Sequence, residues 1–193
     1  MSNDAHRRFG IPILVALGIV GLAACGAREI PGSGSTSPRF HLVTVDHPLD
    51  VKRYSDDPCL SLSAEQRARF GATAPGQSQT SAGLPSCMWR FGSAGATLGY
   101  VVYDTSPTGL AGLDALHKDR NPHDYYIPTS IEGYPAAYNA FNGERDIGTC
   151  DLSVATSPTA YFTTSISSAP GADGCAAAKN LAAAVIATIR EGA

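Results

Sequence analysis

Five cysteines carry the first chemistry the sequence offers: Cys25, Cys59, Cys87, Cys150 and Cys175. A thiol can take lipid, ligate a metal, act as a nucleophile or close a disulfide, and its spacing and neighbours separate these uses. No C-x-x-C pair is present, and no cysteine has a histidine at zinc-knuckle spacing, so a metal centre is not expected. Cys87, beside Trp89, reads as a half-cystine rather than a nucleophile. With Cys25 set aside, Cys59, Cys87, Cys150 and Cys175 remain, and four cysteines allow three connectivities. Spacing alone does not decide among them. Pairing of sequence neighbours, Cys59–Cys87 and Cys150–Cys175, is preferred because each bridge then ties a helix start to a strand.

Other catalytic patterns are missing from the sequence. Gly92-Ser93-Ala94-Gly95 does not make a nucleophile elbow, and neither S-x-x-K, H-E-x-x-H nor an alternating-acid calcium loop occurs. Asp56-Asp57 before a proline reads as a solvated turn. Gly32-Ser33-Gly34-Ser35 lacks the lysine and the flanking strand of a phosphate loop. The richest polar and aromatic cluster is His117, His123, Asp124, Tyr125 and Tyr126, with Tyr134 and Tyr138 following. Tyrosine offers large contact area and a hydroxyl at small entropic cost, so His123, Tyr125, Tyr126, Tyr134 and Tyr138 form a candidate recognition surface. The competing reading packs Tyr134 and Tyr138 into the core.

The amino-terminal segment has the form of an address. Arg7 and Arg8 precede an apolar run from Ile11 to Leu22, the pattern of a secretory signal. Pro12, Gly18 and Gly21 interrupt the run and argue against a spanning anchor. It ends in Leu22-Ala23-Ala24-Cys25-Gly26, which looks like a bacterial lipobox, with diacylglycerol carried on Cys25. Two acyl chains suffice for stable membrane attachment. Residues 1–24 are therefore read as a lipoprotein signal peptide, 25–48 as the lipidated cysteine and a Gly/Ser/Pro tether, and 49–193 as one globular domain. The expected location is the outer face of the cytoplasmic membrane, where disulfides persist. The chain has 193 residues with a formal net charge of −3, and charged residues make up only 16 %. It has no basic stripe for a phosphate backbone, so no nucleic acid is expected as a partner.

The elements follow from periodicity and punctuation. Ser63 with Gln66 forms a capping-box pattern that opens a short helix, and Gly71 stops it. Residues 72–85 read as a loop. Cys87–Phe91 and Ala96–Tyr103 read as a hairpin, and Pro107 opens a helix bearing Leu110, Leu113 and Leu116 or His117. Ile131–Tyr138 is an extended segment, Asn142-Gly143 a turn, and Cys150–Val154 and Tyr161–Ser167 are strands. Asp173 caps a final helix to about Glu191 that presents Leu181, Val185 and Ile189. The order α-β-β-α-β-β-β-α predicts an α+β fold: an antiparallel sheet of about five strands with helices packed on one face.

Asp57-Pro58-Cys59, the Ala-Glu-Gln helix, Cys87-Met88-Trp89, Thr108-Gly109-Leu110, Gly133-Tyr134-Pro135-Ala136 and a Cys-initiated last helix occur in that order. Together, over residues 50–190, they resemble the actinobacterial lipoproteins grouped as domain of unknown function 3558. The resemblance implies a small α/β sandwich and brings no catalytic residue and no cofactor. The function expected from all this is a non-enzymatic, membrane-anchored binding or interaction domain for an envelope protein or component. A small-molecule or lipid carrier with a groove between sheet and helix is the alternative, and an envelope hydrolase with an unrecognised site is the second alternative. Oligomeric state is not legible in the sequence.

Overall fold

The computed structural model describes residues 43–72, 74–92, 97–118, 124–140 and 148–192. Cys25, His123 and the Asn142-Gly143 turn lie outside the described residues. Seven strands form a single antiparallel sheet: β1 Gln77–Ser81, β2 Leu84–Phe91, β3 Thr97–Thr105, β4 Tyr125–Ile131, β5 Tyr134–Ala140, β6 Thr149–Ser157 and β7 Ala160–Ser167. Their spatial order is β1-β2-β3-β7-β6-β5-β4. The helices are α1 Lys52–Asp56, α2 Ala64–Arg69, α3 Gly109–Lys118 and α4 Gly174–Glu191, with a 3-10 turn at Pro58–Ser61.

The expected α+β antiparallel class stands, but seven strands replace the expected five. The first addition, β1, falls in the segment read as a loop. Its residues are all exposed, so no apolar alternation marks it. The second comes from Ile131–Tyr138, which is two strands joined at Glu132-Gly133. Ala82-Gly83 joins β1 to β2 in the same way. Both turns place consecutive residues in the left-handed region, with φ of 49° and 84° at Ala82 and Gly83 and 51° and 86° at Glu132 and Gly133. That is the type I′ hairpin, whose usual sequence signal is Asn or Asp before glycine. Alanine and glutamate gave no such signal.

The helices do not all cover one face. Leu152 and Val154 of β6 share a face with their partners Thr164 and Phe162 of β7. Thr164 donates its hydroxyl to the Ala178 carbonyl at 3.1 Å, which places α4 on that face. Ile127, opposite Tyr138 and through it Leu152, points the same way. Its neighbour Tyr126 points to the other face and donates its hydroxyl to the Leu110 carbonyl at 3.4 Å. Helix α3 therefore packs on the reverse side, contacting β4, β6 and β7. The reason lies in small polar side chains. Ser153 and Asn139 are buried on that side, with Asn139 donating to Ser153 at 2.9 Å and Ser153 bonded to Thr163 at 2.7 Å. Laterally satisfied hydroxyls can be buried at little cost, so polar alternation in β6 did not mean solvent.

The main core lies under α4. Leu181, Val185 and Ile186 of the helix are fully buried against Trp89, Val101, Phe162 and Ile166 of the sheet. Asp173 caps α4 by accepting from the Ala176 amide at 2.9 Å, and Gly192 closes it in the left-handed conformation. Residues Val43, Val45 and Leu49 pack against this core, and the Leu49 amide donates to the Thr156 carbonyl. The packed body thus takes in residues assigned from sequence to the tether, because three apolar side chains in seven residues find a surface to cover. Both disulfides pair sequence neighbours: Cys59–Cys87 and Cys150–Cys175, each with Cα atoms 5.0 Å apart.

Candidate functional site

Phenylalanines at two element ends frame the site. Phe70 terminates α2, and Phe91 terminates β2; their rings stand 5.2 Å apart. Each is held by backbone. The Phe70 carbonyl accepts from the Gly92 amide at 3.2 Å, and the capping box that opens α2 fixes the helix bearing it. In that box Ser63 accepts from the Gln66 amide while the Gln66 side chain accepts from the Ser63 amide. Gln66 also ties α2 to α4: it accepts from the Thr188 hydroxyl at 2.6 Å and donates to the Ala184 carbonyl at 2.9 Å. Phe91 lies across Gly99 of the neighbouring strand, where any Cβ would collide with its ring. Glycine at that position makes the room.

Between these rings and α4 runs a groove. Its deeper part, about 280 Å³, is walled by Phe70, Phe91, Ile166, Ala177 and Leu181, with Thr97 and Asn180 as polar members. It continues over Phe70 and Asn180 into a shallower trough of about 470 Å³ between α2 and α4, bounded by Arg69, Ala184 and Ala187. The deeper part is close to the lower end of ordinary small-molecule sites, which are mostly apolar with a few placed polar groups. Arg69 at the rim pairs with Glu65 at 2.6 Å, both side chains mostly exposed, a contact of little energetic weight.

Other concavities are less suited. A groove of about 400 Å³ beside α1 is lined by Asp50, Lys52, Arg53 and Asp56, and Lys52 already pairs with Asp56 at 2.9 Å. A cleft of about 90 Å³ near His47, Glu132 and Arg190 has room for little beyond water. Among the described residues no three of His, Cys, Asp and Glu stand close enough to hold a metal ion. No described helix is long and apolar enough to cross a membrane.

The tyrosines chosen from sequence divide between two faces. Tyr134 is buried in the main core, with the Arg190 guanidinium stacked 5.1 Å over its ring. Tyr138 packs beside the core on the same face, and Tyr125 shares that face through its pairing with Ala140. Tyr126 alone faces α3, its ring 6.1 Å from buried His117. The four described tyrosines therefore do not converge on one surface. Burial, reinforced by the charge of Asp114, pushes the Tyr126 phenol up to about 12. Tyr103 and Tyr161 are likewise raised, chiefly by burial. These groups keep their protons at neutral pH; Tyr126 donates to the Leu110 carbonyl and Tyr161 to Asp104. The groove residues escaped the sequence reading because Phe70 and Phe91 have the spacing of ordinary core aromatics. The one available signal was Gly99 within a strand, a mark of close approach by a neighbouring group.

The chain belongs to the family described as protein of unknown function (DUF3558), whose model matches residues 20–188. No curated protein and no solved structure matches it.

Proposed function

We propose that the chain is a non-enzymatic binding domain, tethered outside the cytoplasmic membrane through lipid on Cys25. Its ligand is an apolar or amphiphilic envelope molecule seated between Phe70 and Phe91. The groove carries this reading: its walls are carbon, its polar groups are neutral apart from the rim arginine, and two backbone-anchored helices hold it open. Among the described residues the groups with raised pKa, apart from exposed Lys52, are tyrosines that stay protonated and so serve neither as bases nor as nucleophiles at neutral pH. A second reading, docking of an envelope protein, draws on β1. That edge strand is exposed throughout and carries neither charge nor proline, the condition under which an added strand can pair.

Two experiments test the proposal. Asn180 is exposed and borders both parts of the groove, so Asn180→Trp fills it at little cost to folding. Full-length protein in a mild detergent is titrated with the fluorescent apolar probe N-phenyl-1-naphthylamine. Saturable binding by the wild type, weakened roughly tenfold or more in Asn180→Trp, is expected for a pocket whose contact area is lost. Equal binding by both proteins removes the groove from the proposal. Separately, Cys25→Ser is expected to abolish incorporation of radiolabelled fatty acid and leave the precursor unprocessed. Normal labelling of the variant refutes the anchor.

A further inference from the structure

Another concavity lies on the reverse face of the sheet, away from the groove. Asp104 and Tyr161 are a cross-strand pair of β3 and β7, and α3 passes beside them. Together they bound a cleft of about 370 Å³ whose other walls include Ser106, Thr108, Leu113 and Leu116. Polar and apolar side chains both line it. Tyr161 donates its hydroxyl to Oδ2 of Asp104 at 2.8 Å, and Ser106 and Thr108 bond to each other at 2.9 Å. Leu113 and Leu116 line it as well; Leu116 is 47 % exposed, one of the few large apolar side chains left open on the described surface.

Among the described residues no cationic side chain lines this cleft. The ion pairs Lys52–Asp56 and Arg69–Glu65 lie elsewhere. Among the described residues, Asp104 and Tyr161 are the ionisable side chains that line it. Tyr161 is held protonated by burial and by Asp104 itself, so it supplies one neutral donor and no positive charge. A half-buried carboxylate with a single neutral donor retains acceptor capacity on its other oxygen. Beside it lie an aromatic ring and two leucines.

From this we propose that the Asp104–Tyr161 cleft binds an organic ammonium group, its N–H donating to the Asp104 carboxylate and its carbon skeleton resting on Leu113 and Leu116. A charge-assisted hydrogen bond is about twice as strong as a neutral one, and the Tyr161 ring adds attraction for a cation. The amino end of α3 borders the same cleft and carries partial positive charge. That end alone would favour an anion, so the sign of the ligand decides between the two sources of field.

The test uses full-length protein in a nonionic detergent and three probes of one shape: n-butylammonium, butyrate and n-butanol. Binding is read by saturation-transfer NMR and by calorimetry. The wild type is expected to bind n-butylammonium selectively. Asp104→Asn keeps an acceptor for the Tyr161 hydroxyl and loses the charge, so affinity is expected to fall roughly tenfold or more. Leu116→Lys, at an exposed position, brings an internal ammonium to the rim and is expected to displace the probe equally well. Preference for butyrate, equal binding of n-butanol, no binding, or an unchanged affinity in Asp104→Asn each overturns the proposal. Binding of N-phenyl-1-naphthylamine is expected to be unaffected by either substitution, which separates this site from the groove.

Discussion

Phe162→Ala is expected to destabilise the domain by about 3–5 kcal/mol, the range for removing a fully enclosed aromatic ring. Phe162 is 0 % exposed, its ring centroid lies 5.8 Å from that of Tyr103, and its partner across β6 is Val154. It stands on β7, the strand that joins the β1–β3 half of the sheet to the β4–β6 half. A cavity there is walled by other buried core side chains and cannot collapse readily. Since domains are stable by about 5–15 kcal/mol, the variant should unfold at a far lower urea midpoint with an unchanged slope. A loss under about 1 kcal/mol, below the range for such a cavity, would show that the ring is not enclosed as described.

The double substitution Cys150→Ala with Cys175→Ala is expected to cost about 3.5 kcal/mol by the chain-entropy account of a loop this size. The bridge spans 25 residues and fastens the first turn of α4 to β6. Its removal should act on the groove as well, because Ala177, Asn180 and Leu181 follow within two turns of Cys175. Urea unfolding measures the first effect, and N-phenyl-1-naphthylamine titration the second. Alanine at both positions leaves no stray thiol to form a wrong bridge. Wild-type stability in the double variant, with equal probe binding, would mean that the capped helix holds its place without the bridge.

Elements with a local chemical signature were readable in the sequence. The Ser63 and Gln66 pattern opens α2, Asp173 caps α4, and the preferred cysteine pairing is the one present. What escaped reading depends on contacts distant in sequence. Strand β1 is solvated throughout, so its five polar residues show neither alternation nor apolar content. The hairpin at Glu132-Gly133 uses a residue that rarely enters the left-handed region, held there with its carbonyl accepting from Arg190 at 3.0 Å. The reverse-face position of α3 follows from lateral bonds among Asn139, Ser153 and Thr163, which no single strand reveals. The groove needs Phe70, Phe91 and Gly99 together, and only the folded chain juxtaposes them.

The pairing of the two bridges also bears on how the chain assembles. Each joins a cysteine to the next one in the chain, Cys59 to Cys87 and Cys150 to Cys175. If the chain is exported amino end first, as proposed above, Cys59 and Cys87 can be oxidised before the later pair has emerged. With Cys25 lipidated as proposed, the first thiol partner each of the four meets is its native one, and no crossed linkage must be undone by slow thiol exchange. The remaining step is the seam between β3 and β7, where Thr105 meets Ala160 across the intervening chain. Closing such a long loop is the entropically costly event. By then both flanks are already cross-linked, and what docks is two stapled halves rather than a loose chain.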